Sequence, residues 1–456
     1  MITLRASILA YGAKSSQWAF CSILMTVGFP DHRVIPHSGQ PAGSIAVTRG
    51  KVGIVVETKI QAQLRPWPRQ RRSRMRRLMT TLTVFFALVA LVVAGILWAR
   101  GAFWAPVSLD QRIGGTFTVP GNAPVLPWPA QGQAYIDVEG VGELGSSGAV
   151  NTPAPIASVT KTMTAYQVLL DHPLSPADDG PTIGISQALF DASRSTDDDE
   201  SGIELRVGEQ LTLRQALEGM LLPSAGNMAR LLAAWDAGSV QAFVGRMNAR
   251  AHALGMDHTH YADPAGIDSN SRSTAADQVK LGETVLRNPT LSGIVDMKAA
   301  RVPVAGTVVN TNHLLGLDGD VGIKTGSTSQ AGGCLLFAVR AAAGGVPVTM
   351  VGAVLGQPGE PWTILANAES ASKTLIEAAE QSLVVATVVR DGQPVAVRRQ
   401  RGHSDVALDA AKDVTVVGWP SLAYRVSVSA GNELSVASTR LPGTVVGSAR
   451  LSASAG

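Results

Sequence analysis

Residues 321–356 read VGIKTGSTSQAGGCLLFAVRAAAGGVPVTMVGAVLG, and this stretch decides the fold class. It contains three apolar segments, at 321–326, 334–341 and 346–356, which are separated by short Gly-rich connections. Apolar segments of this length that are bounded by Gly predict β-strands. Connections of so few residues join antiparallel neighbours, because parallel strands need a longer crossover. The sequence therefore predicts an antiparallel sheet in the second half of the chain.

Helices are predicted before the sheet. In LRQALEGMLL (213–222) apolar residues recur at i, i+3, i+4, i+7 and i+8, which is typical of a helix that faces a core. Thr212 is placed to cap this helix and Pro223 to end it. A second helix is predicted shortly after Ser224, and SVTKTMTAYQVLL (158–170) predicts another with an apolar face.

The last part of the chain differs in pattern. A long helix is predicted over roughly 362–382, and short strands broken by Asp-Gly and Gly turns follow from about residue 383. The predicted fold class is thus α/β in the broad sense and α+β more narrowly. It comprises an antiparallel sheet flanked by helices, with a helical subdomain, and a small C-terminal all-β domain.

An apolar segment near the N-terminus predicts a membrane anchor. Residues 78–98 (LMTTLTVFFALVALVVAGILW) carry no charge, and as a helix they span about 30 Å, the thickness of a bilayer core. Seven arginines lie within 65–77, and the positive-inside rule places that flank in the cytoplasm and the residues after Arg100 outside. A cleaved signal peptide and a buried core helix are the alternatives. A single-pass anchor is favoured because no clear cleavage site follows.

Residues 1–64 show no convincing periodicity. They form either a short cytoplasmic tail or an artefact of the assigned start, since Met75 or Met79 would open an ordinary signal-anchor sequence. The second hypothesis is preferred, and N-terminal sequencing that finds Met1 retained would refute it.

Charge and cysteine content exclude several function classes. Residues 1–77 carry 13 basic and two acidic residues, a balance of +11 in a chain of net charge +3, so the remainder carries −8 and is unsuited to nucleic acid. Cys21 and Cys334 are too few for a disulfide framework or a four-Cys zinc site, and no metal ligands are predicted. The acidic run Asp197–Glu200 predicts a solvated loop.

Three short motifs carry candidate chemistry. In Ser158-Val-Thr-Lys161 a hydroxyl lies one helical turn from an amine, which can take its proton if burial lowers the pKa of the lysine. Ser224-Ala-Gly-Asn227 places a hydroxyl and an amide in a turn between two helices. Lys324-Thr-Gly326 lies on an apolar strand, where a cation, a hydroxyl and a bare Gly suit the binding of a substrate carboxylate. Each motif alone is weak, and Ser370-Ala-Ser-Lys373 repeats the first spacing inside a predicted helix.

Together and in this order, the motifs resemble the penicillin-binding and serine β-lactamase superfamily. The chain is most similar to its D-alanyl-D-alanine carboxypeptidases over roughly residues 125–385. The resemblance rests on PIASVTKTMTAY (155–166), YADPAGIDSNSRSTAADQVKL (261–281) and NTNHLLGLDGDVGIKTGSTSQAGGC (310–334). It implies a fold like that of β-lactamases and transpeptidases, and removal of the terminal D-Ala from peptidoglycan stem peptides outside the cell.

The resemblance also implies roles for individual residues. Ser158 would be the acylated nucleophile and Lys161 its base, while Ser224 and Asn227 would move protons and hold the peptide. Lys324, Thr325, Gly326 and Ser327 would form the substrate-binding segment, in which Lys324 and Thr325 bind the terminal carboxylate. The backbone N–H groups of Ser158 and Ser327 would form the oxyanion hole. The resemblance implies no cofactor and no metal, β-lactam antibiotics as acylating inhibitors, and no nucleic-acid partner. One departure is that the family motif is commonly Ser-x-Asn, whereas Gly226 stands at the third position here.

The resemblance and the residue patterns together predict five segments. They are a basic cytoplasmic tail (1–77), a transmembrane anchor (78–98), a linker (99–124), a serine peptidase domain (125–385) and a small β domain (386–456).

Two rival functions remain open from the sequence. A class A β-lactamase needs a carboxylate for rapid deacylation, given by a Glu-x-x-x-Asn loop, but between the second and third motifs the sequence offers only Glu283 and Asn288 at the wrong spacing. A non-catalytic cell-wall binding protein on the same fold is the other rival. It is disfavoured because all four residues of the Ser-x-x-Lys and Lys-Thr pairs are retained.

Overall fold

The computed structural model describes residues 2–11, 18–27, 55–57, 69–99, 107–195, 200–400 and 403–454. Two compact units divide the chain, Met1–Ala105 and Pro106–Gly456, and each is described by itself. The helices of the described residues are α1 (Arg69–Ala99), α2 (Lys161–Asp171), α3 (Gln187–Ser193), α4 (Leu213–Leu221), α5 (Gly226–Ala237), α6 (Val240–Ala253), α7 (Ala275–Leu286), α8 (Pro289–Val295) and α9 (Ile364–Ser382), with a 3-10 helix (Ala157–Thr160) before α2.

The strands of the described residues follow in chain order. They are β1 (Ile2–Tyr11), β2 (Trp18–Val27), β3 (Val55–Glu57), β4 (Ser108–Gln111), β5 (Thr116–Thr118), β6 (Gln133–Val138), β7 (Gly142–Ser147), β8 (Ala154–Pro155), β9 (Thr182–Gly184), β10 (Gln210–Thr212), β11 (Arg272–Ser273), β12 (Ala299–Val302), β13 (Gly306–Val309), β14 (Asp320–Thr328), β15 (Gly332–Ala343), β16 (Val346–Gln357), β17 (Val384–Val389), β18 (Pro394–Arg399), β19 (Val406–Ala410), β20 (Val414–Gly418), β21 (Ala423–Ser429), β22 (Glu433–Ser438) and β23 (Val445–Ala453).

The N-terminal unit contains a small antiparallel sheet and the apolar helix. Strands β1, β2 and β3 are neighbours in that order, so the expectation that residues 1–64 have no periodic structure is wrong for these strands. Apolar and polar residues alternate over 2–8, which is the period of a strand. Within α1, residues Arg77–Ile96 have a mean hydropathy of 2.4 and are long and apolar enough to cross a membrane.

The predicted antiparallel sheet forms the centre of the second unit. Its five strands lie in the order β14-β15-β16-β6-β7, and every neighbouring pair is antiparallel. Alternate side chains of β15 enter two different cores. Leu336 and Ala338 pack with the residues of α2, α4, α5 and α7, while Leu335 and Phe337 pack with α9 and the C-terminal strands. A strand covered on both faces in this way is apolar throughout, which explains the continuous apolar segment at 334–341.

Local capping defines the helix that precedes the second motif. The Thr212 hydroxyl accepts a hydrogen bond from the Gln215 N–H, and the Gln215 side chain accepts one from the Thr212 N–H. This reciprocal pair is a capping box, and it satisfies two backbone donors at the start of α4. The predicted cap at Thr212 is therefore present, and α4 ends just before the turn that carries Ser224.

The predicted linker over 99–124 is partly folded. Strand β4 pairs with β18, and strand β5 pairs with β21, so each lies at one edge of a seven-stranded sheet of order β4-β18-β19-β23-β22-β21-β5. The residues after 386 are all-β in the structure, as predicted, but their sheet is completed by a segment from the other end of the unit. Strands of four and three residues carry too little alternation to be recognised in the sequence, and pairing with distant partners defines them.

Candidate active site

The first motif places a hydroxyl and an amine in direct contact. Ser158 lies in the 3-10 helix and Lys161 begins α2. Lys161 Nζ donates to Ser158 Oγ at 2.6 Å and to the Ala265 carbonyl oxygen at 2.8 Å. The Lys161 side chain is fully buried, whereas Ser158 keeps 8% of its surface exposed. The amine is thus enclosed, while a small part of the Ser158 surface remains exposed to solvent.

Burial changes the acid–base behaviour of this lysine. Removal from water lowers the pKa of Lys161 to about 8, because the charged form loses its hydration. The negative charges of Glu200 and Asp263 raise this pKa, and the positive charge of Arg230 lowers it. A lysine with a pKa near neutrality is unprotonated often enough to accept a proton from a neighbouring hydroxyl.

The second Ser-x-x-Lys has the opposite environment. Ser370 is exposed on α9, and Lys373 forms ion pairs with Asp318 and Glu377. Hydrogen bonds to these two carboxylates raise the pKa of Lys373 above its ordinary value. This lysine is held in its charged form and cannot act as a base, so the two identical spacings are clearly distinguished by their surroundings.

The Lys-Thr-Gly segment lies against Ser158. Strand β14 is at the edge of the five-stranded sheet, and a Cβ on Gly326 would lie 2.9 Å from the backbone nitrogen of Ser158 and 3.0 Å from that of Val159. Real Cβ atoms almost never come so close to backbone, so only Gly permits this approach. Ser327, the next residue, is exposed. The structure therefore brings the first and third motifs together.

Buried polar groups continue along β14. Lys324 Nζ donates to the Thr325 carbonyl oxygen at 3.0 Å and lies 3.3 Å from Thr325 Oγ1, which in turn lies 2.6 Å from Thr311 Oγ1. Burial, followed by the nearby charge of Lys161, holds the pKa of Lys324 well below its ordinary value. Lys161 and Lys324 are thus two buried lysines whose charged forms are disfavoured. An anionic substrate group bound near them would stabilise those charged forms.

Replacing Gly326 tests this close approach. Gly326→Ala is expected to slow acylation of the protein by a fluorescent penicillin by roughly ten- to a hundredfold, because a small misplacement of reacting groups has effects of that size. Gly245→Ala is the matched control, since a Cβ at Gly245 in α6 meets no atom within 4 Å. An unchanged acylation rate in Gly326→Ala would contradict the contact between β14 and the 3-10 helix.

The second motif occupies a strained turn between α4 and α5. Ser224 has a φ of 64°, and Ala157, directly before Ser158, has a φ of 46°. Residues other than Gly rarely adopt positive φ, and such strain is concentrated at functional sites. The side chain of Ser224 is largely buried. One strained residue is a predicted site residue, and the other directly precedes one. This placement supports the predicted location of the site.

The Asn227 side chain is bonded to neighbouring backbone. Its amide nitrogen donates to the Ile203 carbonyl oxygen at 2.7 Å, and its amide oxygen accepts from the backbone N–H groups of Ile203 and Met228. Both acceptor positions of the amide oxygen are therefore occupied by backbone. These contacts fix the segment around Ile203 against α5, and a role of Asn227 in holding the peptide stays a prediction.

Two acidic residues near the site were not predicted to be functional. Asp263 accepts hydrogen bonds from the Gly266 and Ile267 N–H groups, both at 2.9 Å, and so shapes the loop whose Ala265 carbonyl oxygen receives Lys161. The Asp-Pro-Ala-Gly sequence of this loop is a recognisable turn signal.

The side chain of Glu200, the second of these residues, is only 3% exposed and is paired with Arg230. The predicted solvated loop is therefore wrong at Glu200. The preceding residues 196–199 lie outside the described part of the chain.

The carboxylate considered for a β-lactamase lies elsewhere. Glu283 is on α7, where it pairs with Arg287. Burial is the main cause that raises the pKa of Asp137 on β6, and the charge of Glu283 raises it further. None of these groups belongs to the three motifs. The carboxylate considered for a β-lactamase is thus engaged with residues outside the three motifs.

Comparison with known proteins gives a consistent set of relatives. Residues 134–358 match the sequence profile of peptidase family S11, described as D-alanyl-D-alanine carboxypeptidase. The chain is 32% identical over 259 residues to the D-alanyl-D-alanine carboxypeptidase of Streptomyces sp. strain K15, covering 53% of this chain and 86% of that protein. It is 34% identical over 217 residues to the D-alanyl-D-alanine endopeptidase of Pseudomonas aeruginosa, covering 46% of this chain and 66% of that protein.

A solved structure resembles the chain over a longer stretch. The crystal structure of penicillin binding protein 5 from Haemophilus influenzae superposes with a TM-score of 0.52 at 22% identity, covering 71% of this chain and 97% of that one. At this identity the likeness concerns the fold, a mixed arrangement of helices and sheets.

Proposed function

Since the chain belongs to the D-alanyl-D-alanine carboxypeptidase family, we propose that it removes the terminal D-Ala from peptidoglycan stem peptides through an acyl-enzyme on Ser158. It is a serine-type carboxypeptidase of cell-wall metabolism. The observation that carries the assignment of the nucleophile is the 2.6 Å hydrogen bond from the buried Lys161 amine to Ser158 Oγ. A serine hydroxyl is a weak nucleophile until a positioned base accepts its proton.

Acylation follows from this geometry. Unprotonated Lys161 accepts the Ser158 proton, and Oγ attacks the carbonyl carbon of the penultimate D-Ala. The backbone N–H groups of Ser158 and Ser327 stabilise the oxyanion that forms. When the peptide bond breaks, the departing amine takes up the proton, with Ser224 as the relay between it and Lys161. The products are free D-Ala and an ester on Ser158.

Deacylation reverses the sequence with water in place of the amine. Lys161 accepts a proton from water, the hydroxide attacks the ester carbonyl, and Ser158 Oγ leaves and regains a proton. Penicillin acylates the same serine when its ring amide opens, because the ring carbonyl meets the same nucleophile and oxyanion donors. The family's penicillin sensitivity is consistent with this site.

The terminal carboxylate of the substrate is proposed to bind at β14. Lys324 and Thr325 offer a cation and a hydroxyl on the strand whose Gly326 approaches Ser158, and a bound carboxylate stabilises the charged form of a lysine that burial otherwise disfavours. A positively charged cleft with this donor set selects peptides with a free C-terminus.

The detergent-solubilised full chain is the material for testing this function. It is expected to release D-Ala from a peptide ending in D-Ala-D-Ala. Lys324→Ala should reduce kcat/KM for this peptide by roughly ten- to a hundredfold more than for its C-terminal amide, since a charge-assisted hydrogen bond is lost only with the free acid. Lys412→Ala, an exposed lysine of the β region, is the matched control.

Two results would contradict the proposal. Equal losses on the free acid and the amide would remove carboxylate recognition from Lys324. Rapid turnover of nitrocefin without a lasting acyl-enzyme, together with no release of D-Ala, would favour a β-lactamase instead.

We further propose that α1 anchors the protein in the cell membrane and that the N-terminus is cytoplasmic. The support is the apolar stretch Arg77–Ile96 and the seven arginines within 65–77. The peptidase domain (125–385) and the β domain (386–456, with β4 and β5) then lie outside the membrane, where peptidoglycan is found.

A further inference from the structure

Position 226 of the second motif has no side chain, and another residue fills the space. Gly226 begins α5, two residues after Ser224. A Cβ on Gly226 would lie 1.5 Å from Glu200 Oε1 and 2.3 Å from its carboxyl carbon. The Glu200 carboxylate therefore occupies the volume into which a side chain of residue 226 would project.

Several bonds hold Glu200 in this position. Arg230, one turn further along α5, donates from Nη1 to Glu200 Oε1 at 2.8 Å and from Nη2 to Oε2 at 2.5 Å. The Gly226 N–H donates to the Ser201 carbonyl oxygen at 2.8 Å, and Asn227 binds Ile203. The carboxylate also lies at the N-terminal end of α5, where the helix dipole favours a negative charge. A bidentate pair that is almost completely buried keeps a fixed geometry.

The charge of Glu200 acts on the lysine of the first motif. Three charged groups influence the pKa of Lys161: Glu200, Asp263 and Arg230. The charge of Lys161 in turn lowers the pKa of Lys324 on β14. Among the three, Glu200 has the largest effect on the pKa of Lys161, and it exceeds the opposing effect of Arg230. The net effect of the Glu200–Arg230 ion pair on Lys161 is therefore that of a negative charge.

We propose that Glu200 takes the place of a side chain at position 226 and is a positioning residue that acts on the first motif through its carboxylate. This proposal rests on the proposed role of Lys161 as the base for Ser158. A neutral amide at position 226 would supply hydrogen bonds without charge. A carboxylate supplies a charge that favours the protonated amine, which then serves as the proton donor when the substrate amine leaves.

The pH dependence of acylation tests this role. The second-order rate of labelling by a fluorescent penicillin is measured between pH 5.5 and pH 9.5 on the full chain, in the wild type, Glu200→Gln and Glu209→Gln. Glu209 is the matched control, because it is also buried but accepts hydrogen bonds from the Arg206 and Val304 N–H groups rather than influencing Lys161. Glu200→Gln is expected to move the midpoint of the acidic limb down by at least about half a pH unit, since removal of a negative charge favours the neutral amine. Glu209→Gln should leave the midpoint unchanged.

Loss of a buried charge partner destabilises a protein, so a second variant accompanies the first. If Glu200→Gln does not fold, Glu200→Gln/Arg230→Gln removes both charges, and its midpoint should still move down because the effect of Glu200 exceeds that of Arg230. A midpoint that stays at the wild-type value in the folded variant, with any loss of rate equal at every pH, would overturn the proposal. Absence of Ser158 labelling in the wild type would instead refute the proposed function, and the two failures are therefore distinguishable.

Discussion

Ser158→Ala should abolish covalent labelling by fluorescent penicillin and reduce the release of D-Ala by at least about a thousandfold, because no acyl-enzyme can form without the nucleophile. Ser370→Ala is the matched control: it removes the serine of the second Ser-x-x-Lys, which is exposed on α9 beside a lysine held by two carboxylates. Labelling of the control should equal that of the wild type. Labelling that survives in Ser158→Ala and disappears in Ser370→Ala would mean that the nucleophile lies on α9.

The change Lys161→Met is expected to reduce the rate of acylation by roughly a hundred- to ten-thousandfold, the range that a general base contributes. Methionine fills much of the buried volume, so the loss reports the missing amine rather than a cavity. Lys373→Met, the equivalent change in the second motif, should have no effect.

The pH dependence of acylation in the wild type also tests whether Lys161 is the base. Lys161 acts as a base only when unprotonated, and burial lowers its pKa to about 8. Acylation should therefore level off above that pH and fall about tenfold for each unit below it. A rate that is independent of pH between 6 and 9 would exclude Lys161 as the base.

Local patterns explain why much of the fold was predictable. The segments that became β14, β15 and β16 are apolar because both faces of the sheet are covered, and the capping signals around α4 act between residues three apart. The sequence predicts a linker at the edge strands β4 and β5, because residues about 300 positions away determine their pairing. Residues 1–64 give no prediction of β1 and β2, although apolar and polar residues alternate in β1.

In the candidate site too, features set by neighbouring residues were predictable and features set by distant residues were not. The Ser158–Lys161 contact follows from helical spacing, and the resemblance to a family supplied the order of the motifs. Nothing in the sequence shows which of two Ser-x-x-Lys pairs is buried, or that Glu200 reaches Gly226 across more than 20 residues. Such relationships depend on tertiary contacts. The bare Gly at position 226 was the one signal that another residue fills this place.

Mapping a penicillin adduct by mass spectrometry tests the central claim most directly. After labelling and digestion with trypsin, the account predicts an acyl group on the peptide 113–161, with fragment ions that place it on Ser158. An adduct on the peptide 341–373, which contains Ser370, or on any other residue would contradict the assignment of the nucleophile.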